Sequence, residues 1–558
     1  MKKYLLSIVL LVCFGLTGPV GLAQTTLVNP ILTGFYPDPS IVRVGTDYYL
    51  VNSTFSYFPG IPVFHSKDLK NWKQIGNVID RPGQMDFMGE PMTRGLFAPA
   101  ISHYKGVYYV TCTDIDHDGN FVVTARNPAG PWSNPVKLPQ VRGIDPSIYF
   151  DEETDKAYIL YNSDAPDRKP LYSGHRTIRM YEFDYRNLKV TGEEKQLVNG
   201  GVDLSKKPVW IEAPHILKRN GWYYLYAAEG GTSVNHTEVV FRSKDVWGPY
   251  VPYENNPILT QKGLPEDRKD PVTSAGHAQL VEGPDGKWYA IFLAVRPYEG
   301  DYYNTGRETF IAPVEWKNDW PIINPDSREI KYAYPVGYKE VKPKGALPQS
   351  GNFDYTLTFD KALDPALLFM RTHDNSWYSL SKKQGLTLRL KPETVMEKGN
   401  PAFIGKRQQH LNSLAETELV FSPKSEKEKA GLIIFQDEGH FYFLAKSTTQ
   451  GKEVIQLYKS KPREKDMELL AEVPAGTSGK TGLRIASQGD AYSFYVSTDA
   501  KNWTSLKENI DAKFLSTKTA GGFIGCVYGL YATSSGESGS NTASFRYLKY
   551  RGDDPMFK

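Results

Sequence analysis

The 558-residue chain is poor in the features that would make it a disulfide scaffold, a membrane protein or a polyanion binder. It has three cysteines; Cys13 falls in the N-terminal leader, and neither Cys112 nor Cys526 stands in a paired Cys or His metal motif. That excludes a disulfide framework, and both read as small buried hydrophobes. Beyond the N-terminus no stretch is long and apolar enough to span a bilayer. Lys and Arg number 66 against 63 Asp and Glu, mixed with no single-sign block, which argues against nucleic acid as the main partner and favours a near-neutral ligand. Helical periodicity is missing over any long window, and 48 glycines and 38 prolines cut the chain into short elements.

Lys2 and Lys3 precede an apolar run from Tyr4 to Leu16, with small residues at Gly21 and Ala23. That order predicts a secretory signal peptide over residues 1–23 and an exported protein, periplasmic or extracellular. A lipoprotein anchor at Cys13 is disfavoured because Leu11 and Val12 precede it where a small residue belongs. Nothing in the sequence specifies an oligomeric state.

What is abundant is repetition. Asp38-Pro39-Ser40-Ile41, Ala98-Pro99-Ala100-Ile101, Asp145-Pro146-Ser147-Ile148, Ala213-Pro214-His215-Ile216 and, more loosely, His277-Ala278-Gln279-Leu280 each open a short apolar strand. A turn and an aromatic strand follow each time, as in Tyr48-Tyr49-Leu50-Val51 and Trp222-Tyr223-Tyr224-Leu225. Five copies at blade-like spacing predict an all-β fold, a five-bladed β-propeller over residues 24–340. Residues 341–350 have linker composition, and alternating runs beyond them, such as Tyr492-Ser493-Phe494-Tyr495-Val496, predict an antiparallel β-sandwich over residues 351–558.

Equivalent positions in the innermost strands of a propeller converge on its axis. The register therefore predicts one pocket shared by Asp38, Asp145 and Glu212. Pro37 and Pro39 predict extended backbone at Asp38, a rigid mount for a general base; an isolated Asp-Pro would otherwise read as a turn. Cleaving a glycosidic bond needs a carboxylic acid to protonate the leaving oxygen and a carboxylate across the sugar, and a third acidic group keeps the acid protonated. Aromatics make up 13% of the chain and serve sheet packing and sugar-stacking platforms.

Phe35-Tyr36-Pro37-Asp38-Pro39-Ser40, Ile144-Asp145-Pro146-Ser147, Ile211-Glu212-Ala213-Pro214-His215 and Gly306-Arg307-Glu308-Thr309-Phe310 closely resemble glycoside hydrolase family 43, in particular its β-xylosidases and α-L-arabinofuranosidases. The resemblance covers almost the whole mature chain. Gln408-Gln409-His410-Leu411-Asn412 and Phe435-Gln436-Asp437-Glu438-Gly439 are similar to the family's C-terminal, concanavalin-like sandwich. It implies single-displacement hydrolysis with inversion of pentose-containing oligosaccharides or polysaccharides, with Asp38 as general base, Glu212 as general acid and Asp145 tuning that acid. It implies no required cofactor. The family's axial histidine is matched by His277, with calcium or sodium possible beside it; the lack of a companion His or Cys argues against zinc.

Arg307 is placed to hold sugar hydroxyls or to clamp Asp145 or Glu212, unless it only pairs with Glu308. Phe55 and Phe97 are read as walls of the sugar subsite; the family often has Trp where this chain has Phe97. Gly521-Gly522-Phe523-Ile524-Gly525 is the candidate loop that closes the pocket for exo action. Two rivals remain: a non-catalytic, lectin-like propeller, and a retaining fructan hydrolase, whose Asn-Asp-Pro-Asn opening differs from Pro37-Asp38-Pro39-Ser40.

Overall fold

A computed structural model describes residues 25–476, 479–499 and 501–558; the predicted signal peptide, 1–23, lies outside them. Nearly all regular structure is antiparallel strand. The Pro- and Gly-punctuated repeats form five sheets, four of four strands and one of five. Their innermost strands are Ser40–Val44, Leu96–Tyr104, Ile144–Asp151, Glu212–Arg219 and Thr273–Glu282. Each packs against the next, and the fifth returns to the first, so the five sheets close as propeller blades. Thr25–Val28 pairs with Ala333–Val336, bringing the two ends of the propeller together.

Burial patterns follow the layers. The second strand of the fourth blade, Trp222–Glu229, is buried along almost its whole length, because a blade is covered on both faces by its neighbours. The outer strand Lys189–Asn199 is charged and largely exposed, which blunts an open sheet edge. In the C-terminal half, Phe353–Thr358 alternates strictly, with Phe353, Tyr355 and Leu357 inward. There a nine-stranded and a six-stranded sheet enclose a core that includes Leu386, Leu444 and Phe494.

The halves are fused along a broad seam. Phe369–Met370 of the sandwich side pairs with Tyr57–Phe58 of the propeller. One apolar cluster runs from Val51, Phe58 and Ile61 in the propeller to Phe369, Trp377 and Leu444. Residues 341–350 are irregular and tied to the first blade, where Val341 N–H donates to Asp68 (2.6 Å) and Lys73 Nζ to the Lys344 carbonyl (3.0 Å).

A buried ion pair stitches the seam. Arg296 donates to both oxygens of Glu308 (2.6 and 2.9 Å) and to Asp554 of the sandwich (2.6 Å), and all three side chains are inaccessible to water. Breaking such a pair strands the remaining charges. Arg296→Met is expected to destabilise the protein by about 3–5 kcal/mol, read as a fall in the unfolding midpoint; an unchanged midpoint refutes this role.

Candidate active site

The repeat dictates an unusual backbone at the axial mouth. The five equivalent residues, Asp38, Ala98, Asp145, Ala213 and His277, all take left-handed φ, at 53°, 42°, 56°, 52° and 56°. In the last four blades a register shift in the first strand pair accompanies this conformation, between Phe97/Ala100, Ile144/Ser147, Glu212/His215 and Gly276/Gln279. A bulge breaks the ladder and re-aims side chains. The extended Asp38 predicted from its flanking prolines is thus corrected: a proline fixes its own φ and leaves its predecessor the left-handed well, which Asp tolerates.

Backbone N–H groups of one blade hold acidic or hydroxyl side chains of the blade before. Ala98 N–H donates to Ser53 Oγ (2.7 Å), whose hydroxyl donates to Asp38 Oδ2 (2.6 Å). Ala213 N–H donates to Asp145 Oδ2 (3.0 Å), and Ala278 N–H to Glu238 Oε2 (2.8 Å). Asp145 is therefore anchored to the backbone one residue after Glu212.

Asp38, Asp145, Glu212, Phe97, His277 and Arg307 all line one cavity of about 480 Å³, a size that suits a small ligand. Arg307 Nη1 donates to Asp38 Oδ1 (3.0 Å) and to Thr232 Oγ1 (2.9 Å). It clamps Asp38, not Asp145 or Glu212, and Glu308 is taken by Arg296. Phe55 is corrected as a wall residue. It is buried behind Phe97, edge-on to it at 5.4 Å between ring centres, and supports the wall from inside.

The sequence reading missed Arg94, Arg176, Trp210 and Thr232 on this cavity. Arg94 pairs with Asp116 and lies over Phe97; Arg176 lies over the Trp210 ring. Trp210, two residues before Glu212, was the one detectable signal. Phe523, from the loop proposed to close the pocket, completes the wall and stacks under the Arg307 guanidinium. Its N–H donates to Thr93 Oγ1 (2.7 Å). Gly306 and Gly525 make that approach possible, since a Cβ on either would fall within 3 Å of the other domain's backbone.

The three carboxylates differ in proton affinity. Burial alone would raise Asp38, but Arg307, His277 and the Ser53 hydrogen bond outweigh it and hold Asp38 below the usual carboxylate range. Burial, then the charge of Asp38, pushes Asp145 up to about 7. Glu212 is raised well above the ordinary value, by burial first and then by Asp145 and Asp38. As pH rises Asp38 gives up its proton first, while Asp145 and Glu212, each raised by burial and by neighbouring negative charge, hold theirs to higher pH.

His277 Nδ1 lies 3.8 Å from Asp38 Oδ1, and burial lowers its pKa to about 4. The structure also corrects its isolation. His215 and His236 lie close enough to feel its charge, and burial lowers each to about 3. The donors gathered there are mostly neutral imidazoles, with one unpartnered oxygen of Glu238. These residues offer few protein oxygens, so a calcium or sodium ion held here would take most of its ligands from water, and no step below runs through an ion.

An ionised carboxylate and a proton-bearing carboxyl facing one cavity at a propeller axis define an O-glycoside hydrolase. Residues 27–321 match glycosyl hydrolases family 43, and residues 357–551 match the β-xylosidase C-terminal concanavalin A-like domain. A xylosidase/arabinosidase of Butyrivibrio fibrisolvens is 36% identical over 525 residues, 93% of this chain and 98% of that one. A non-reducing end α-L-arabinofuranosidase of Bacteroides ovatus is 37% identical over 552 residues, 97% and 98% of the two chains. The solved xylan β-1,4-xylosidase of Bacillus halodurans superposes with a TM-score of 0.84 at 30% identity, covering 94% of this chain and 100% of that one. The chain belongs to glycosyl hydrolases family 43.

Proposed function

We propose that this protein is an exo-acting, inverting hydrolase that releases terminal pentoses from hemicellulose oligosaccharides, with β-1,4-xylosidase as its main activity and α-L-arabinofuranosidase as the alternative. The observation that carries the assignment is that Asp38 and Glu212 face one cavity with Asp38 alone clamped by Arg307 and Ser53, which favours its ionised form while burial favours the proton on Glu212. Asp38, ionised under its clamp of Arg307 and Ser53, takes a proton from water as that water attacks the anomeric carbon. Glu212 gives its proton to the leaving glycosidic oxygen, so one bond forms as the other breaks and both carboxyls end in the opposite state. The base is regenerated by solvent; no cofactor enters. Phe523 and Phe97 wall the sugar, and closure of that side by the sandwich supports attack on chain ends.

Initial rates on paired nitrophenyl β-xyloside and α-L-arabinofuranoside test the sugar, with the xyloside expected to be faster. Proton NMR of the first-formed pentose tests the mechanism: the inverted anomer is expected, and the retained anomer before mutarotation overturns single displacement. A protein inert on both glycosides that still binds xylan would be the lectin-like module instead. Export is also part of this reading; it rests on the leader at residues 1–23, and a mature N-terminus at Gln24 would support it.

Asp145 tests the electrostatics. Glu212 must be protonated to act, so activity falls as pH rises through its pKa. A negative charge on Asp145 raises Glu212, and Asp145→Asn removes it while the side-chain oxygen can still accept from Ala213 N–H. The Glu212 pKa then falls, and the alkaline limb of kcat/KM is expected to move to lower pH, with a smaller change in the acid limb. An alkaline limb that stays put in the folded variant reduces the argument to two carboxylates.

A further inference from the structure

Glu90, Asp114 and His117 lie behind the pocket wall, outside the catalytic cavity. Glu90 sits between the first and second blades; Asp114 ends the strand Val107–Asp114, and His117 follows in the turn before Gly119–Ala125. Each offers one donor atom, and the three atoms all lie within 4.8 Å of one another. Both carboxylates are almost fully buried, whereas His117 reaches solvent.

The hydrogen bonding leaves a gap at this spot. Glu90 accepts from Ser56 Oγ (3.0 Å) and contacts His117 Nδ1. Asp114 Oδ1 has no hydrogen-bond partner, although the residue is only 3% exposed. A buried, unpaired carboxylate oxygen is costly, and a second carboxylate beside it adds repulsion. A cation bound between them removes both penalties.

We propose that Glu90, Asp114 and His117 form a binding site for a divalent transition-metal ion, zinc or manganese, structural and separate from catalysis. One imidazole nitrogen with two carboxylate oxygens suits these ions better than calcium, which takes six to eight oxygens. Solvent at the His117 side supplies the remaining ligand.

The ion would fix the seam as well as the loop. The Glu90 carbonyl accepts from Arg371 Nε (2.7 Å), and Arg371 also pairs with Glu438 of the sandwich. On the other side, a Cβ on Gly95 would lie 3.0 Å from Glu90 Oε2, and Gly95 opens the Leu96–Tyr104 strand that carries Phe97.

The test uses full-length protein stripped with EDTA and titrated with Zn²⁺ alone by calorimetry. One Zn²⁺ per chain is expected, with affinity weakened at least about tenfold by Asp114→Asn and by His117→Ala. Zn²⁺ should also raise the thermal midpoint of the wild type but not of His117→Ala. Because His117 is exposed, its variant decides the matter even if Asp114→Asn fails to fold. No uptake by the stripped wild type, or uptake unchanged in His117→Ala, overturns the site.

Discussion

Asp38→Asn is expected to lower kcat by about a hundredfold to ten-thousandfold while changing KM little. The amide keeps an oxygen for Arg307 and a polar group toward Ser53, so the cavity keeps its shape. What disappears is the only carboxylate of the three whose partners outweigh burial and keep it ionised. The attacking water then has no base, whereas the sugar keeps Phe97, Phe523 and the rest of the wall. Calorimetric binding of xylobiose to the variant separates these effects. A loss in kcat below about tenfold would hand the base role to Asp145.

Glu212→Gln is expected to cost about as much on natural disaccharides, but far less on nitrophenyl glycosides, whose leaving group departs with little protonation. The difference between the two substrate types is the diagnostic quantity. Equal losses on both would mean that Glu212 positions the sugar and donates no proton. The same variant should lose the alkaline limb of its pH profile, because the group that titrates there is gone.

The repeat made much of this legible in advance. Asp38, Asp145 and Glu212 were placed together because period, not proximity in sequence, decides what faces a propeller axis. His277 followed from the same register. The partners of Arg307 did not follow, since a long side chain next to three carboxylates can reach any of them, and only the local backbone selects Asp38. Phe55 is illegible for a related reason: it takes a left-handed φ of 56° and packs behind Phe97, and no pattern in Ser53-Thr54-Phe55-Ser56 announces either. Arg94 lies on a loop whose course depends on tertiary packing, and Arg176 opens the strand Arg176–Asp184, whose place beside the cavity no local pattern announces.

Phe523 gives the molecule a constraint that reaches beyond its chemistry. It stands in the cavity wall against Arg307, yet it is encoded far downstream, in the half of the gene that specifies the sandwich. Selection for a particular sugar therefore acts on two distant stretches of coding sequence at once, and recombination between them separates residues that work as a pair. A propeller grafted onto a relative's sandwich would inherit that relative's residue at the position of Phe523 and, with it, part of its substrate preference.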